Sequence, residues 1–113
     1  MVYSKSKLFE QDLQQLAIVF KALAHPARLA ILRYLAETQE CITSDISNEL
    51  PLSRTTVSQH LAELKKSGLI KGKVNGTKVN YCLDTSTIKV MLPLLKELLS
   101  EIDINFEKKC TPI

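Results

Sequence analysis

Polar side chains in residues 51–66 are the first set whose types and spacing indicate a particular chemistry. At the helical period, one side of a helix over this stretch would carry short hydroxyls, an amide, a small side chain and cations. These residues are Arg54, Thr55, Ser58, Gln59, Ala62 and Lys66. Hydroxyls and amides can hydrogen-bond to base edges in the DNA major groove, while cations can contact the phosphates. An ordinary solvated helix face would use the same residue types, so the pattern by itself leaves both interpretations open.

The three cysteines are a second set of residues that could do chemistry. Cys41 lies near the predicted amino end of a helix, and Cys110 follows Lys108 and Lys109, so both settings favour a thiolate. Thiolates bind soft metal ions and metalloids such as arsenite, and they are also the groups that oxidants attack. Three ordinary thiols would give the same sequence. The odd number argues against a disulfide framework and is typical of a reducing compartment.

Zinc and enzyme chemistry have less support in the sequence. The chain has two histidines, which are too few nitrogen ligands for a four-coordinate zinc site of the His-rich kind. His25 precedes Pro26 at a predicted helix start, where a capping or packed role is more common than metal binding. The sequence lacks the motifs of serine hydrolases, nucleotide-binding loops and zinc peptidases, so we predict that the protein is not an enzyme.

Helices must position these side chains. The chain has 113 residues and 45% apolar content without Trp, which favours one domain over residues 1–113 with a core of aliphatic side chains on helices. Periodic apolar residues predict helices at 8–23 and 26–36, a short third helix ending near Leu50, a fourth that begins after Ser53, and a last at 86–104.

The third and fourth helices with the turn at Pro51 predict a helix-turn-helix in which the fourth helix is the recognition helix. Ser53 is its predicted N-cap, and Val57, Leu61 and Leu64 form its buried stripe. Residues 69–83 then predict a β-hairpin with a two-residue turn at Asn75-Gly76. Cys82 would lie on the outer face of this hairpin. It is a third candidate ligand only because it is the one cysteine left.

Charge is distributed unevenly along the chain. The formal net charge is +3, but the six cations and one anion between Ser53 and Cys82 give this window +5. A basic hairpin directly after a recognition helix is typical of a DNA-contacting wing. The predicted fold class is therefore mainly α with a small β-hairpin (α+β), a winged helix-turn-helix with five helices and the hairpin between the fourth and the fifth.

The chain resembles the ArsR/SmtB family of winged-helix repressors. The resemblance rests on LAHPARLAIL at 23–32, LSRTTVSQHLAELKKSGLI at 52–70 and NGTKVNYCL at 75–83. It implies a homodimer that represses transcription at an inverted-repeat operator and is released by an inducer. Where metal-sensing members often carry a CxC pair, this chain has the single thiol of Cys41, and the last helix has no His for the family's zinc-type site.

Two residue sets follow from this reading. The predicted DNA contacts are Ser53, Arg54, Thr55, Thr56, Ser58, Gln59, His60, Lys66, Lys73, Asn75 and Lys78. The last helix is too apolar for a surface helix, so we expect it to pair with the first helix across a two-fold interface, with Pro93 as a complication that should kink or restart it. The predicted dimer contacts are Leu13, Leu16, Phe20, Met91, Leu95, Leu98, Leu99 and Ile102.

The sequence also leads to expectations about the inducer and about the cellular location of the protein. Cys41 and Cys110 are the predicted sensor pair, and the predicted inducer is arsenite or another thiophilic ion. Alternatively, the cysteines respond to oxidation or to reactive sulfur. A third alternative is a repressor that responds to no ligand. A winged helix used only for protein contacts is a more remote alternative. The amino-terminal residues do not resemble a signal peptide, and no apolar run is long enough to span a membrane, so we expect a soluble cytoplasmic protein.

Overall fold

The computed structural model describes residues 9–43, 46 and 49–109. In chain order the elements are α1 (Gln11–Leu23), α2 (Pro26–Thr38), β1 (Ile42–Thr43), α3 (Arg54–Lys66), β2 (Ile70–Asn75), β3 (Lys78–Leu83) and α4 (Thr85–Lys109). Helices thus dominate, and the strands form one small sheet next to them. This is the mainly helical architecture with a hairpin that the sequence predicted.

The core consists of aliphatic side chains from all four helices and from the start of β2. Val57, Leu61 and Leu64 of α3 are fully buried, as the predicted stripe requires, and Ile31 and Leu35 of α2 pack with them. In α1 the buried residues are Leu16, Val19 and Ala22, whereas Leu13 and Phe20, both predicted dimer contacts, are 42% and 41% exposed. The part of α1 that carries Leu13 and Phe20 therefore faces away from the protomer core.

Local capping sets both ends of α3. The hydroxyl of Ser53 accepts a hydrogen bond from the Thr56 backbone N–H at 3.2 Å, which confirms the predicted N-cap. At the other end Gly68 has a φ of +87°, a conformation that L-residues other than glycine rarely adopt. Its backbone N–H donates to the Lys65 carbonyl at 3.0 Å, so the chain leaves α3 and enters β2 within a few residues.

The sheet has three antiparallel strands in the order β1-β3-β2. β2 and β3 form the predicted hairpin, which we call the wing. Asn75 pairs with Lys78, so the two turn residues are Gly76 and Thr77, one position later than predicted. Gly76 has a φ of +67°, as the first position of a type II′ turn requires. The sequence did not predict β1, because a two-residue strand has no alternation to detect.

The helices differ from the prediction in number and length. The described residues contain four α-helices rather than five. The predicted third helix falls on 44–50, where only 46, 49 and 50 are described, and Ile46 is buried there in a 3₁₀ turn. The last helix runs from Thr85 to Lys109 through Pro93 without restarting.

None of the described helices is both long enough and apolar enough to cross a membrane alone. By length and composition α1 and α2 could do so only as a pair, and the pair is bent by 95°.

Candidate nucleic-acid interface

One side of α3 presents polar side chains to solvent, opposite the buried stripe. Its exposed members are Arg54, Thr55, Ser58, Gln59 and Lys66, which we call the recognition face. Because the opposite side is anchored in the core, the backbone of α3 holds these side chains at fixed spacings along one line. Such a rigid, convex, polar helix has the dimensions that the DNA major groove admits.

Two residues of the predicted DNA set serve the helix cap. The Ser53 hydroxyl lies 2.9 Å from the Thr56 hydroxyl and also accepts from the Thr56 backbone N–H. Thr56 is only partly exposed. Both therefore orient the start of α3, where the positive end of the helix dipole attracts phosphate oxygens.

The wing adds cations beside this face. Lys71, Lys73 and Lys78 are exposed on β2 and β3, and Lys65 and Lys66 are exposed at the end of α3. The end of the Lys65 side chain lies beside Gly72 of β2, so its ammonium adjoins the wing. The side chain of Asn75, also predicted to contact DNA, lies outside the described side chains.

His60 differs from its predicted role. Its side chain is buried with 8% exposed, and Nδ1 accepts a hydrogen bond from Arg28 Nε at 3.1 Å. A side chain enclosed in this way cannot contact DNA, so His60 does not belong to the recognition face. Burial, followed by the neighbouring His25 and Arg28 charges, lowers the pKa of His60 below its ordinary value of 6.5. The neutral ring then carries its proton on Nε2, which is buried without a partner among the described residues.

Arg28 connects three helices through this contact. Its guanidinium donates to the Lys21 and Ala22 carbonyls at the end of α1, at 3.3 and 3.2 Å, and to His60 on α3. His25 caps α2 through Nδ1, which accepts from the Ala27 backbone N–H at 3.0 Å, and its ring lies 4.3 Å from the ring of His60. The predicted capping role of His25 is confirmed. The sequence analysis missed the Arg28–His60 pair, because its residues are 32 positions apart.

The chain was compared with protein families and with curated proteins. Residues 25–71, which include α2, α3 and the start of β2, match the family described as bacterial regulatory protein, arsR family. An HTH-type transcriptional regulator of Methanocaldococcus jannaschii is 36% identical over 85 residues, covering 75% of this chain and 96% of that protein. The chain belongs to the arsR family. It is a DNA-binding transcriptional regulator, in agreement with the interface described above.

This arsR-family protein is also similar to a transcriptional activator and to a DNA-binding domain of known structure. The transcriptional activator HlyU of Vibrio cholerae is 34% identical over 89 residues, which cover 79% of this chain and 82% of HlyU. A homodimeric winged helix-turn-helix DNA-binding domain from Mycobacterium bovis, determined by NMR, superposes with a TM-score of 0.63 at 30% identity. That match covers 89% of this chain and 92% of the M. bovis domain.

The predicted dimer residues of the arsR-family protein fall into two groups. Leu16 and Met91 are 4% and 9% exposed, so they pack inside the protomer core, and Leu95 and Leu98 are half-buried there. By contrast, Leu99 and Ile102 are 56% and 57% exposed. Among the described side chains, the large exposed apolar residues of α1 and α4 are Leu13, Ile18, Phe20, Val90, Leu92, Leu99, Ile102 and Ile104.

The cysteines are arranged differently from the prediction. Cys41 precedes β1 rather than a described helix, and its Sγ is joined to that of Cys82 in a disulfide. Cys82 is 8% exposed, so it does not lie on an open outer face of the wing. Cys110 lies outside the described residues. The expectation of unpaired thiols is therefore wrong for Cys41 and Cys82.

This pairing bears on the thiophilic metals that the family resemblance implies. Sulfurs joined to each other are not thiolates, so Cys41 and Cys82 do not fit arsenite or Cu(I) in this state. Over 9–43, 46 and 49–109, no three His, Cys, Asp or Glu residues cluster closely enough to hold an ion.

Proposed function

We propose that the protein is a homodimeric repressor that binds an inverted-repeat operator through α3 and the wing. The observation that carries this proposal is the recognition face, a line of exposed hydroxyl, amide and cationic groups on a helix whose other side is fully buried. Its polarity suits base edges, and its rigidity reduces the entropy lost on binding.

The contacts divide by chemistry. Thr55, Ser58 and Gln59 offer hydroxyl and amide groups in the first two turns of α3, so we assign them to base edges. Lys66, Lys73 and Lys78 offer ammonium groups at its end and on the wing, so we assign them to phosphates. Arg54 lies at the first turn of α3, where guanidinium can contact either a guanine edge or the backbone.

A dimer supplies the second half of the operator contact. Eight large apolar side chains of α1 and α4 are exposed among those described, and pairing two copies across these helices would bury them. The homodimeric M. bovis domain supports this assembly. Two copies of α3 related by a two-fold axis would then meet successive major grooves and read an inverted repeat.

Binding selection and in vitro transcription would test this proposal. Duplexes selected from a random library should contain inverted repeats with half-site centres about one helical turn apart. Adding the protein to a promoter that overlaps such a site should reduce transcript yield. Increased yield, as for a transcriptional activator, would contradict repression. Recovery of no duplex at low salt would instead favour a domain used only for protein contacts.

A further inference from the structure

A cavity of about 350 Å³ lies between α1, α2, α4 and the base of the wing. Leu16 and Met91 are buried walls of this cavity, and Leu69 and Leu83 line it from the two ends of the hairpin. All eleven side chains that line it are aliphatic or methionine, and no polar side chain of the described residues is among them. The cavity is therefore an apolar space inside the protomer.

The volume and the lining of the cavity select a class of ligand. Protein cores are close-packed and leave few voids larger than a water molecule, so a space of this size is unusual. It has about twice the volume of an engineered apolar cavity that binds benzene, and it therefore accommodates a two-ring aromatic hydrocarbon. A charged or hydrogen-bonding group would lose its water there without gaining a partner. The ligand that fits is small, uncharged and nonpolar.

The cavity is separate from the exposed apolar surface of α1 and α4. Among the eight large exposed side chains of that surface, only Leu92 also lines the cavity. A helix with its side chains is about 10–12 Å across, so a space of this volume admits a small molecule and not a helix of a second copy. Leu92 and the exposed Ala36 mark the rim, so a ligand enters between α4 and α2.

We propose that this cavity binds a small, uncharged, hydrocarbon-like molecule, and that its occupation weakens operator binding. This inference rests on the proposed function of α3 and the wing. An empty apolar cavity forfeits van der Waals contacts, so the ligand-free protomer gains contacts when α4 closes toward α2. A bound ligand holds the two helices apart and therefore favours the open arrangement.

The position of the cavity connects it to DNA binding. α4 carries most of the exposed apolar surface that would pair two copies, so a shift of α4 changes the distance between the two recognition faces. Leu69 lies between the end of α3 and the start of β2, so the same shift moves the wing relative to α3. Half-sites one helical turn apart require a fixed distance between the recognition helices. We therefore assign operator binding to the closed arrangement.

The test uses naphthalene as the probe and naphthoate, which adds one carboxylate to the same rings, as the matched control. Changes in naphthalene fluorescence measure binding to the full chain, and NMR locates the ligand through NOEs from its ring protons to protein methyl groups. We expect saturable binding at one site per protomer, with NOEs to Met91 and Leu95, and no binding of naphthoate. Fluorescence anisotropy with a selected inverted-repeat duplex measures operator affinity. This affinity should fall about 5- to 150-fold at saturating naphthalene, as for typical allosteric coupling.

Two variants separate the cavity from other effects. Ala36→Leu enlarges an exposed side chain at the rim, so it partly fills the cavity and leaves the core intact. It should bind naphthalene about 10- to 200-fold more weakly, the range that a change of one methylene in an apolar pocket produces. Its operator affinity should stay unchanged when naphthalene is added. Glu37→Leu places the same side chain at the next exposed position of α2, outside the cavity lining, and should respond to naphthalene like the parent protein.

Several outcomes would overturn the inference. Absence of saturable naphthalene binding, or NOEs to Leu99 and Ile102 in place of Met91 and Leu95, would overturn the site. NOEs between Met91 and a differently labelled second copy in the ligand-free protein would show that a partner subunit fills the cavity, and would overturn the site too. Equal binding of naphthoate would overturn the ligand class. Unchanged operator affinity at saturation would overturn the regulatory inference alone, whereas absence of operator binding with and without naphthalene would overturn the repressor proposal as well.

Discussion

Individual side chains on α3 have distinct roles although they share one short helix. Gln59 is exposed on the recognition face, whereas the adjacent His60 is 8% exposed and bonded to Arg28. The helical period turns consecutive residues by about a quarter of a circle, so one residue can meet DNA while the next completes the core. Substitutions at neighbouring positions should therefore give different kinds of defect.

Gln59→Ala and Lys73→Ala should weaken DNA binding in different ways. An amide that reads a base edge contributes about 1–3 kcal/mol of discrimination, so Gln59→Ala should lose operator affinity and sequence preference together. Loss of a phosphate contact at Lys73 should weaken binding to all duplexes and reduce the salt slope by about 1. Affinities for operator and scrambled duplexes over a salt series would measure both effects. Equal loss of specificity in the two variants would contradict this division.

His60 should make the stability of the protein depend on pH. Its pKa is lowered in the folded protein, chiefly by burial, so the unfolded chain takes up a proton at a higher pH than the folded chain does. The contribution of the neutral His60 ring to the free energy of unfolding is fully present above the unfolded pKa of about 6.5. It is lost as the pH falls from there toward the folded pKa. Chemical denaturation between about pH 7.5 and pH 5 would show the decline. His60→Gln, which keeps an acceptor for Arg28, should flatten the curve, and an unchanged slope would argue against His60 as its source.

At the scale of elements, α3 depends on its caps and on the helices that hold it. Ser53 and Gly68 set where it starts and ends, and Arg28 fixes it against the end of α1 and against α2. Asp84 plays a similar part at the start of α4, where its carboxylate accepts from the Ser86 hydroxyl and the Thr87 backbone N–H. These hydrogen bonds lower the pKa of Asp84, with the Ser86 contact as the largest cause.

Ser53→Ala should destabilise the protein by about 0.5–2 kcal/mol, because the Thr56 backbone N–H loses its acceptor. Urea unfolding at neutral pH would measure the change. Ser53→Asn is the matched control, since asparagine caps a helix as well as serine does, and its unfolding curve should overlay that of the parent. Equal destabilisation by both substitutions would show that the cap is not what Ser53 contributes.

At the scale of the whole molecule, the apolar surface of α1 and α4 is the feature that one protomer leaves unexplained. Exposed apolar residues recur along α4 from Val90 to Ile104. A second copy would cover them, and it would also set the distance between two recognition faces. The geometry of the dimer therefore determines the spacing of the operator half-sites that the protein can bind.

Leu99→Glu and Ile102→Glu should each convert the protein to a monomer with weak operator binding. Both side chains are more than half exposed in the protomer, so the substitutions leave its core intact while placing a carboxylate in the apolar interface. Sedimentation equilibrium at micromolar concentration would measure the mass. Ser100→Glu adds the same charge to an exposed position of α4 and should remain dimeric. A parent protein that sediments as a monomer would remove the basis of the two-fold model.

The sequence by itself determined the features that arise from neighbouring residues. The stripe of Val57, Leu61 and Leu64, the cap at Ser53 and the glycine turn of the wing follow from periodicity, side-chain capping and φ preferences that act over a few positions. The family-typical stretches around α2 and α3 identified the DNA-binding fold in the same way. The error at this level was small, a one-residue shift of the turn.

Only the tertiary structure decided which distant residues meet. Cys41 pairs with Cys82 across 41 positions, and Arg28 with His60 across 32, and nothing local to either member of a pair indicates its partner. The same holds for β1, whose two residues form a strand only because β3 lies beside them. Burial also depends on the packed whole, which is why Met91 belongs to the protomer core and Leu99 to the surface although both are apolar residues of one helix. Local patterns fix how each helix is made, whereas long-range packing fixes what each side chain touches.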